Sequence, residues 1–511
     1  MSYAELQRQV AKINDVLNAL SVLTWDSRTQ MPLGGADTRG QQLATLTDLA
    51  RRLILGSELR RALEGAEHEV SSQAPDSIPA RTVAQVREAV EVSSRIPAEL
   101  VSDIAALKPT AQAAWGEARA ANDFPRFQPY LEQMLDLSRQ LAEAIGYSEH
   151  PYDALLLQYE PGMTARSLSA LLGELKTATL PLVRAIAQKE PPRCDFLNRD
   201  YPEDAQREFA LGLAKKFGYD LSRGRLDISL YPFEISFTRQ DVRITTRYRR
   251  DYLPTGLFGV LHETGHALYE QGVSPELTRS ALTTDFLGLY AVGGASFGTH
   301  ESQSRLWENL VGRSWVFWQV QFPALRATFP EQLGGVDAET FYRAVNRVSP
   351  SLIRVEADEL TYNLHILLRV ELEMALLEGR MAVRDLPNAW NAKVKEYLGL
   401  EVPSDTLGVL QDIHWSTGYF GSFPTYTIGN IMSAQFFAAA RERLRGLEDA
   451  LAQDDYAPLL KWLQDNIYQH GRRFSPQELL KHTTGKPLTT GPYLSYLREK
   501  YGMLYGLGEQ A

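Results

Sequence analysis

Apolar side chains recur at intervals of three and four positions along most of the first 190 residues, which is the pattern of amphipathic helices. The pattern is interrupted at residues 32–35, at residues 74–79 and at Pro151, where turn-forming residues occur. Helical periodicity resumes after Thr299, and it is clearest at residues 302–317, 338–348, 357–377 and 388–398. The sequence therefore predicts a mainly α protein built from long antiparallel helices.

A different pattern occupies residues 225–248, where apolar and polar side chains alternate. Leu226 and Ile228 follow a period of two, and so do Val242 and Ile244, as expected for strands with one buried face. We predict a small β-sheet immediately before the next helix. One of its edge strands could pair with an extended peptide, or the strands could form a hairpin that only supports that helix.

The helix predicted after this sheet is capped by Thr255 and ends at Gly272. It contains the sequence His-Glu-Thr-Gly-His, in which His262 and His266 are four positions apart. Residues with this spacing lie on one helical face, so both imidazoles can bind one zinc ion while Glu263 reaches the metal's water. The alternative is a pair of core or capping histidines that bind no metal.

Three glycines, Gly256, Gly259 and Gly265, lie within the same predicted helix. Each costs about 1 kcal/mol relative to alanine in a helix interior. We therefore expect a metal, a substrate or a neighbouring helix to approach this helix closely, and simple tight packing would have the same effect.

A catalytic zinc ion needs a third protein ligand and leaves its fourth position open. Glu301 is the best candidate, because Thr299 can cap a second helix whose first turn presents this carboxylate. The neighbouring His300 could form a hydrogen bond to a metal-binding side chain and fix its orientation. The alternative makes Glu301 an ordinary acidic residue of a first turn, favoured by the helix dipole.

The pairing of H-E-T-G-H at residues 262–266 with H-E-S-Q-S at residues 300–304 resembles the carboxypeptidase Taq family of metallocarboxypeptidases. The resemblance extends over nearly the whole chain, because further motifs occur in the family's order. These are an opening segment with Trp25-Asp26, Met31-Pro32 and Arg39, then D-V-R-I-T-T-R-Y at residues 241–248, I-R-V-E-A-D-E-L-T-Y at residues 353–362 and G-V-L-Q-D-I-H-W at residues 408–415.

The resemblance implies an elongated multi-helix metallopeptidase, similar to neurolysin and angiotensin-converting enzyme, with a deep groove and the small sheet beside the zinc helix. It implies a single metallocarboxypeptidase domain over residues 1–511. Within it, the Pro191-Pro192 break separates an N-terminal helical lobe at about residues 1–190 from a zinc-bearing catalytic lobe at about residues 191–511. The resemblance further implies a homodimer and a zinc ion for which cobalt can substitute.

Two features depart from the family. The chain has Tyr231 ahead of Pro232 and Phe233, where the family usually has histidine, and the stretch from His266 to Glu301 is longer than expected. That stretch contains an uncharged, glycine-rich run at residues 286–298. Within the D-V-R-I-T-T motif, Arg243 could contact substrate, but we expect it to pair with Asp241.

The zinc motif assigns the chemistry of water activation to Glu263, as general base and then general acid. A donor facing the metal is also needed to stabilise the tetrahedral intermediate. His414, Tyr419 and Tyr426 are candidates, and Asp412 could orient a histidine. His414 is equally compatible with a role in the core.

An exopeptidase must also recognise the terminal carboxylate of its substrate. Arginine does this best, because its planar guanidinium can donate two parallel hydrogen bonds to the two carboxylate oxygens. The resemblance implies that Arg354 has this role, with Tyr426 as a second donor. Without the resemblance, Arg354 would be assigned to a salt bridge with Glu356 or Asp358.

Composition limits the partners. A net charge of −10 over 511 residues argues against nucleic acid and against an anionic membrane. No uncharged apolar run approaches the roughly 20 residues that span a bilayer, and the first residues lack the apolar core of a signal peptide. Cys194 is the only cysteine, which excludes an internal disulfide and fits a reducing compartment. We predict a cytoplasmic protein.

The leading hypothesis is a zinc-dependent metallocarboxypeptidase that hydrolyses the C-terminal bond of peptides with a free C-terminus. The alternative is a zinc oligopeptidase that cuts internal bonds of short peptides. A helical binding protein with structural zinc is disfavoured, because structural zinc has four closed ligands, often cysteines, and does not need Glu263.

Overall fold

The structure, a computed structural model, describes residues 2–508, which are mainly helical as predicted. No helix among these residues is long and apolar enough to cross a membrane. In chain order the α-helices are α1 (Tyr3–Thr29), α2 (Ala36–Leu55), α3 (Ser57–Val70), α4 (Ile78–Arg95), α5 (Ala98–Ala121), α6 (Phe124–Ile145), α7 (Pro151–Leu156), α8 (Ala165–Ile186), α9 (Glu203–Phe217), α10 (Leu253–Gly272), α11 (Phe297–Arg305), α12 (Trp315–Thr328), α13 (Pro330–Leu333), α14 (Ala338–Val345), α15 (Glu359–Leu377), α16 (Leu386–Leu398), α17 (Pro424–Arg443), α18 (Leu447–Ala452), α19 (Ala457–Asn466), α20 (Pro476–Thr484) and α21 (Gly491–Tyr505).

The chain divides into two compact units, each assembled from three segments. The first unit contains residues 2–93, Pro192–Val345 and Met432–Leu488. The second contains Ser94–Pro191, Asn346–Ile431 and residues 489–508. One junction falls at the Pro191-Pro192 break, and the chain changes unit at four further points. The division into lobes at about residue 190 therefore stays a prediction.

The predicted small sheet is present in the first unit and has three strands, β1 (Gly224–Ile228), β2 (Glu234–Thr238) and β3 (Asp241–Thr246). The central strand β3 pairs in parallel with β1 and antiparallel with β2. Leu226 and Glu234 both lie opposite Ile244 in this register, so the buried side chain of Ile244 fixes the alignment of the sheet.

The sheet packs against α10, which carries the His-Glu-Thr-Gly-His sequence. A Cβ atom added at Gly256 would lie 2.2 Å from the ring of Tyr248, and one at Gly259 would lie 2.9 Å from Oγ1 of Thr246. These two glycines therefore let the helix approach the end of β3 and the residues that follow it. Close approach was expected at these positions, and the approaching atoms belong to side chains in and next to the sheet.

Helices α10 and α11 both begin earlier than predicted, because the residues that cap them are not the predicted ones. Helix α10 begins two residues before Thr255, because Pro254 is accommodated in its first turn, and it ends at Gly272 as predicted. Helix α11 is capped by Ser296, whose hydroxyl accepts the N–H of Thr299. Thr299, the predicted cap, therefore lies inside the helix.

A continuous helix was predicted over residues 302–317, and this prediction is wrong. Helix α11 passes into a π-helical segment, Leu306–Val311, and α12 then begins after a new cap at Ser314. In the π-segment the N–H of Gly312 bonds to the carbonyl of Trp307, five residues back. The wider turn changes which side chains share a face of the helix.

Candidate functional site

Three side chains of the first unit converge on one point. The Nε2 atoms of His262 and His266 lie 3.6 and 3.3 Å from Oε2 of Glu301. Ligand atoms of all three residues lie within 4.8 Å of one another, so the group could hold one metal ion. The structure thus brings together all three residues proposed from the sequence as metal ligands.

The spacing of these atoms fits a tetrahedral zinc site. Ligand bonds of 2.0–2.2 Å at tetrahedral angles place neighbouring ligand atoms about 3.3 Å apart. The separations of 3.3 and 3.6 Å between the imidazole nitrogens and Glu301 are close to that value. The three ligand atoms therefore need little movement to bind an ion, and a tetrahedron leaves its fourth position for a water molecule.

Gly265 lets the two helices meet at this point. A Cβ atom added there would lie 2.4 Å from the carbonyl oxygen of Gln303 and 2.6 Å from Cα of Ser304. Both contacts are to backbone, which cannot move aside as a flexible side chain can. The glycine in the middle of the histidine motif therefore permits α11 to bring Glu301 up to the imidazoles of α10.

The Nδ1 atom of His262 faces Glu308, at 2.9 Å from Oε2. Arg313 donates to the other oxygen of Glu308 at 3.1 Å, and Arg305 donates to Glu301 at 2.7 Å. Burial alone would raise the pKa of Glu308, but His262 and the two arginines outweigh burial and lower it to about 2. An ionised Glu308 accepts the Nδ1 proton of His262, which leaves the Nε2 lone pair free for a metal.

The Nδ1 atom of His266 is bound to Nδ1 of His300, which in turn places its Nε2 atom 3.0 Å from Oε1 of Glu270. The Glu270 carboxylate also accepts the backbone N–H groups of Gly293 and Gly294, at 2.9–3.0 Å. The consistent tautomers have His300 donating to Glu270 and accepting from His266. The Nε2 lone pair of His266 is then directed towards Glu301.

Glu270 and Glu308 are the residues that sequence reasoning missed. Glu270 lies one turn beyond His266 on α10, and its carboxylate contacts His300. Glu308 lies seven positions after Glu301 but in the π-helical segment, so regular α-helical spacing does not predict its direction. The glycine-rich run at residues 286–298 supplies the two N–H groups on Glu270.

Glu263 is 5% exposed and makes no side-chain hydrogen bond or ion pair among residues 2–508. Burial is the largest influence on this carboxyl and raises its pKa to about 7 in the metal-free protein. A carboxylate that is unpaired and has a pKa near neutrality is suited to accept a proton from water.

A second cluster lies in the second unit, around Arg354. This side chain is 6% exposed, and it donates from Nε and Nη2 to Oδ1 of Asp412 at 3.1 and 2.8 Å. Its Nη1 atom donates to the hydroxyl of Tyr362 at 3.0 Å. The predicted alternative of an ion pair with Glu356 or Asp358 is wrong, because Asp358 caps α15 instead.

The other two residues predicted to bind substrate also lie in this cluster. The guanidinium of Arg354 is 5.1 Å from the ring centroid of Tyr426, and Nε2 of His414 is 3.4 Å from the Tyr426 hydroxyl. The His414 ring stacks on Phe423, with centroids 4.4 Å apart. Burial, and next the charge of Arg354, lower the pKa of His414 to about 3, so the imidazole is neutral.

The remaining candidates have simpler environments. Arg243 pairs with Asp241 through two hydrogen bonds of 2.8–2.9 Å, as expected. Tyr231, which stands where the family usually has histidine, is 70% exposed. Tyr419 is 39% exposed and lies edge-on to Tyr159 in the second unit.

Comparisons with known proteins cover nearly the whole chain. The family model described as carboxypeptidase Taq (M32) metallopeptidase matches residues 5–501. Thermostable carboxypeptidase 1 of Thermus thermophilus is 44% identical over an alignment of 513 positions that covers 98% of each chain. Carboxypeptidase 1 of Bacillus subtilis is 36% identical over 495 residues, which is 97% of each chain. These proteins match the chain from end to end.

Solved structures agree with the sequence comparisons. The crystal structure of an M32 carboxypeptidase from Deinococcus radiodurans R1 superposes with a TM-score of 0.94 at 44% identity, covering 99% of each chain. A carboxypeptidase structure from Pyrococcus furiosus superposes with a TM-score of 0.93 at 33% identity, covering 98% of each chain. The similarity therefore includes both compact units and the sheet beside α10.

Proposed function

The chain belongs to the carboxypeptidase Taq (M32) family of metallopeptidases, and from that premise we propose that a zinc ion bound by His262, His266 and Glu301 serves its reaction. The enzyme is a metallocarboxypeptidase, as its family and its named relatives are. The single observation that supports the metal assignment is the position of both Nε2 atoms 3.3–3.6 Å from one carboxylate oxygen of Glu301.

The donor set favours zinc among the divalent metals. Two imidazoles and one carboxylate suit zinc and cobalt, whereas magnesium and calcium prefer oxygen ligands throughout. A bound zinc ion supplies a lowered water pKa and polarises the substrate carbonyl. Cobalt is the expected substitute, since it has similar ligand preferences.

Glu263 is the proposed general base. It is adjacent to His262 on α10, it is buried, and no described side chain competes for its carboxylate. It accepts the proton of the attacking water and then donates it to the nitrogen of the departing amino acid. The alternation of the two roles needs a carboxyl whose pKa is close to neutral pH.

Arg354 is the proposed binding group for the terminal carboxylate of the substrate. A guanidinium has five N–H donors, and among residues 2–508 the Arg354 side chain uses three of them, on Asp412 and Tyr362. Two donors therefore remain on a buried cation. Because buried N–H groups are usually paired, these donors favour an anionic ligand that is bound in two places.

His414 and Tyr426 are proposed to complete recognition of the substrate. Their ring nitrogen and hydroxyl lie 3.4 Å apart next to Arg354, so either can donate to a substrate oxygen. A neutral His414 can donate without adding charge, and it can stabilise an oxygen that becomes negative during the reaction. These roles separate a carboxypeptidase from the alternative oligopeptidase, which needs no carboxylate site.

Two variants test the proposal. Glu263→Gln is expected to retain the metal, measured by elemental analysis, and to lose turnover by at least a thousandfold, because the proton acceptor is absent. Arg354→Ala is expected to raise KM for a free-acid peptide by at least tenfold and to leave the inhibition constant of the matching peptide amide unchanged. An active, metal-loaded Glu263→Gln enzyme, or equal effects of Arg354→Ala on both ligands, would refute the respective assignment.

We also propose that the enzyme acts in the cytoplasm as a homodimer on peptides with a free C-terminus. A single cysteine fits a reducing compartment, and the net charge of −10 disfavours nucleic acid and anionic membranes as partners. The dimer rests on the family resemblance. Light scattering at several protein concentrations tests it, with twice the chain mass of 57.4 kDa as the expected result.

A further inference from the structure

A second arginine lies behind Arg354, and the proposed mechanism gives it no role. Arg369, on α15, is completely buried. Its Nε donates to Oδ2 of Asp412 at 2.7 Å, its Nη2 donates to Oε1 of Gln411 at 2.9 Å, and its Nη1 donates to the carbonyl of His365 at 2.7 Å. The guanidinium also lies 4.6 Å from the ring centroid of Trp390. Its position is therefore determined on every side.

Asp412 connects the two arginines. Oδ1 accepts from Arg354 and Oδ2 accepts from Arg369, so each cation occupies a different oxygen. Gln411 makes a parallel connection, because Oε1 accepts both the side chain of Arg369 and the backbone N–H of Arg354. Both the backbone and the side chain of Arg354 are thus held by groups that Arg369 holds.

The three charged groups do not balance. Arg354 and Arg369 are two cations and Asp412 is one anion, and the nearby His365 and His414 are neutral because burial lowers the pKa of each. The triad therefore retains one positive charge in a buried site. Excess buried charge is costly unless a partner neutralises it, and a substrate carboxylate on the two remaining donors of Arg354 would do so.

We propose that Arg369 is a positioning residue that offsets the charge of Asp412, so that Arg354 keeps its own charge for the terminal carboxylate of the substrate. This inference rests on the proposed role of Arg354. Asp412 alone would orient the fork of Arg354 but would also neutralise it. With Arg369 present, the guanidinium of Arg354 is oriented by Asp412 and also keeps a net positive charge that attracts an anion.

A purely structural role for Arg369 leads to different expectations. A residue that only fills the core and binds the carbonyl of His365 would, when replaced, lower the stability of the protein and affect all ligands alike. A residue that supplies charge would, when replaced, weaken ligands with a free carboxylate and leave neutral ligands unaffected. Restoring the charge balance elsewhere would then restore binding.

The test uses the full-length, metal-loaded enzyme with an N-blocked dipeptide as substrate and its C-terminal amide as competitive inhibitor. Arg369→Met is expected to raise KM for the free acid at least tenfold, with kcat within threefold of the parent and the inhibition constant of the amide unchanged. The effect follows from the loss of one positive charge next to Asp412 in a buried site, where charges are weakly screened. Arg369→Lys keeps the charge and is expected to stay within threefold of the parent KM.

A charge-compensated variant gives the decisive comparison. Adding Asp412→Asn to Arg369→Met leaves Arg354 as the only charge among these three positions, and this restores their net positive charge. The double variant is therefore expected to have a KM for the free acid at least threefold lower than Arg369→Met alone. If it has the same KM as Arg369→Met, or if Arg369→Met weakens acid and amide equally, the inference is wrong.

Arg354→Ala measured in parallel separates the two claims. If Arg354→Ala selectively weakens binding of the free acid and Arg369→Met does not, only the role of Arg369 is overturned. Absence of selectivity in Arg354→Ala would overturn the carboxylate site itself. If Arg369→Met does not fold, Arg369→Gln replaces it, with the same tenfold rise expected and with Arg369→Lys as the matched control.

Discussion

The Nδ1 atom of His262 lies 2.9 Å from the Glu308 carboxylate, while the Nε2 atom of the same ring faces Glu301 at 3.6 Å. One imidazole is thus held between two carboxylates that come from a single stretch of chain, α11 and the π-helical segment that follows it. The first carboxylate fixes the tautomer of the ring, and the second is the proposed fellow ligand of the metal. Glu308 should therefore control the metal affinity without touching the metal.

Replacing Glu308 with glutamine is expected to weaken zinc binding by about 10- to 100-fold, because supporting carboxylates of metal-bound histidines have effects of this size. Competition with a chromophoric zinc chelator measures the affinity. Glu331→Gln, which changes an exposed carboxylate of the same unit, is the matched control and should bind zinc as the parent does. Equal affinities in all three proteins would exclude the proposed role.

His266 depends on a longer chain of contacts, through His300 to Glu270 and the glycine-rich run. A Cβ atom added at Gly294 would lie 2.5 Å from Cδ2 of His300. Gly294→Ala is therefore expected to displace His300 and lower zinc affinity by about tenfold. Gly335→Ala places its Cβ in open space and should leave the affinity unchanged. A Gly294→Ala enzyme with full affinity would show that His300 does not support the metal.

Gly265 is predicted to be the least replaceable glycine of α10. Alanine at this position would contact the backbone of Gln303 and Ser304, so α10 and α11 would have to separate. We expect a loss of about 1–3 kcal/mol of unfolding free energy and loss of zinc binding. Gly212→Ala, in the open face of α9, should instead stabilise the protein by up to about 1 kcal/mol. Denaturant unfolding and metal analysis of both variants provide the check.

The raised pKa of Glu263 predicts a pH-dependent stability in the metal-free protein. Burial raises this pKa from 4.5 to about 7, so between these pH values the folded protein binds a proton that the unfolded chain has lost. Its contribution to stability is therefore present below pH 4.5 and is lost as the pH rises to 7, by on the order of 3 kcal/mol.

Glu263→Gln removes this titration and isolates it. The difference in unfolding free energy between the variant and the parent, both metal-free, should increase in favour of the variant from pH 4.5 to pH 7 and then become constant. A difference that does not change with pH would mean that Glu263 has an ordinary pKa. Chemical denaturation at a series of pH values measures the difference.

The convergence of His262 and His266 was predictable from the sequence, because residues one helical turn apart share a face of the helix. Glu301 lies far from them along the chain, and only the resemblance of its motif to the family selected it for this group. The mainly α fold and the position of the sheet followed from equally local periodicities. Predictions of this kind need no knowledge of how distant segments pack.

The supporting residues could not be predicted in the same way. Glu270 is recognisable only once the backbone of Gly293 and Gly294 is placed against it, and Glu308 only once the π-helical turn has set its direction. The partner of Arg354 was wrongly sought within four residues, whereas Asp412 lies 58 residues away along the chain. Tertiary packing determines these contacts, and the spacing of residues along the sequence does not predict that packing.

With a metal bound by His262, His266 and Glu301, the enzyme should remove residues from free C-termini. A time course by mass spectrometry on one peptide, as free acid and as amide, with and without a chelator, tests this activity. We expect a ladder of products that lose one C-terminal residue at a time from the free acid only, stopped by the chelator and restored by zinc. Internal fragments from both peptides, or a ladder that persists without metal, would contradict the account.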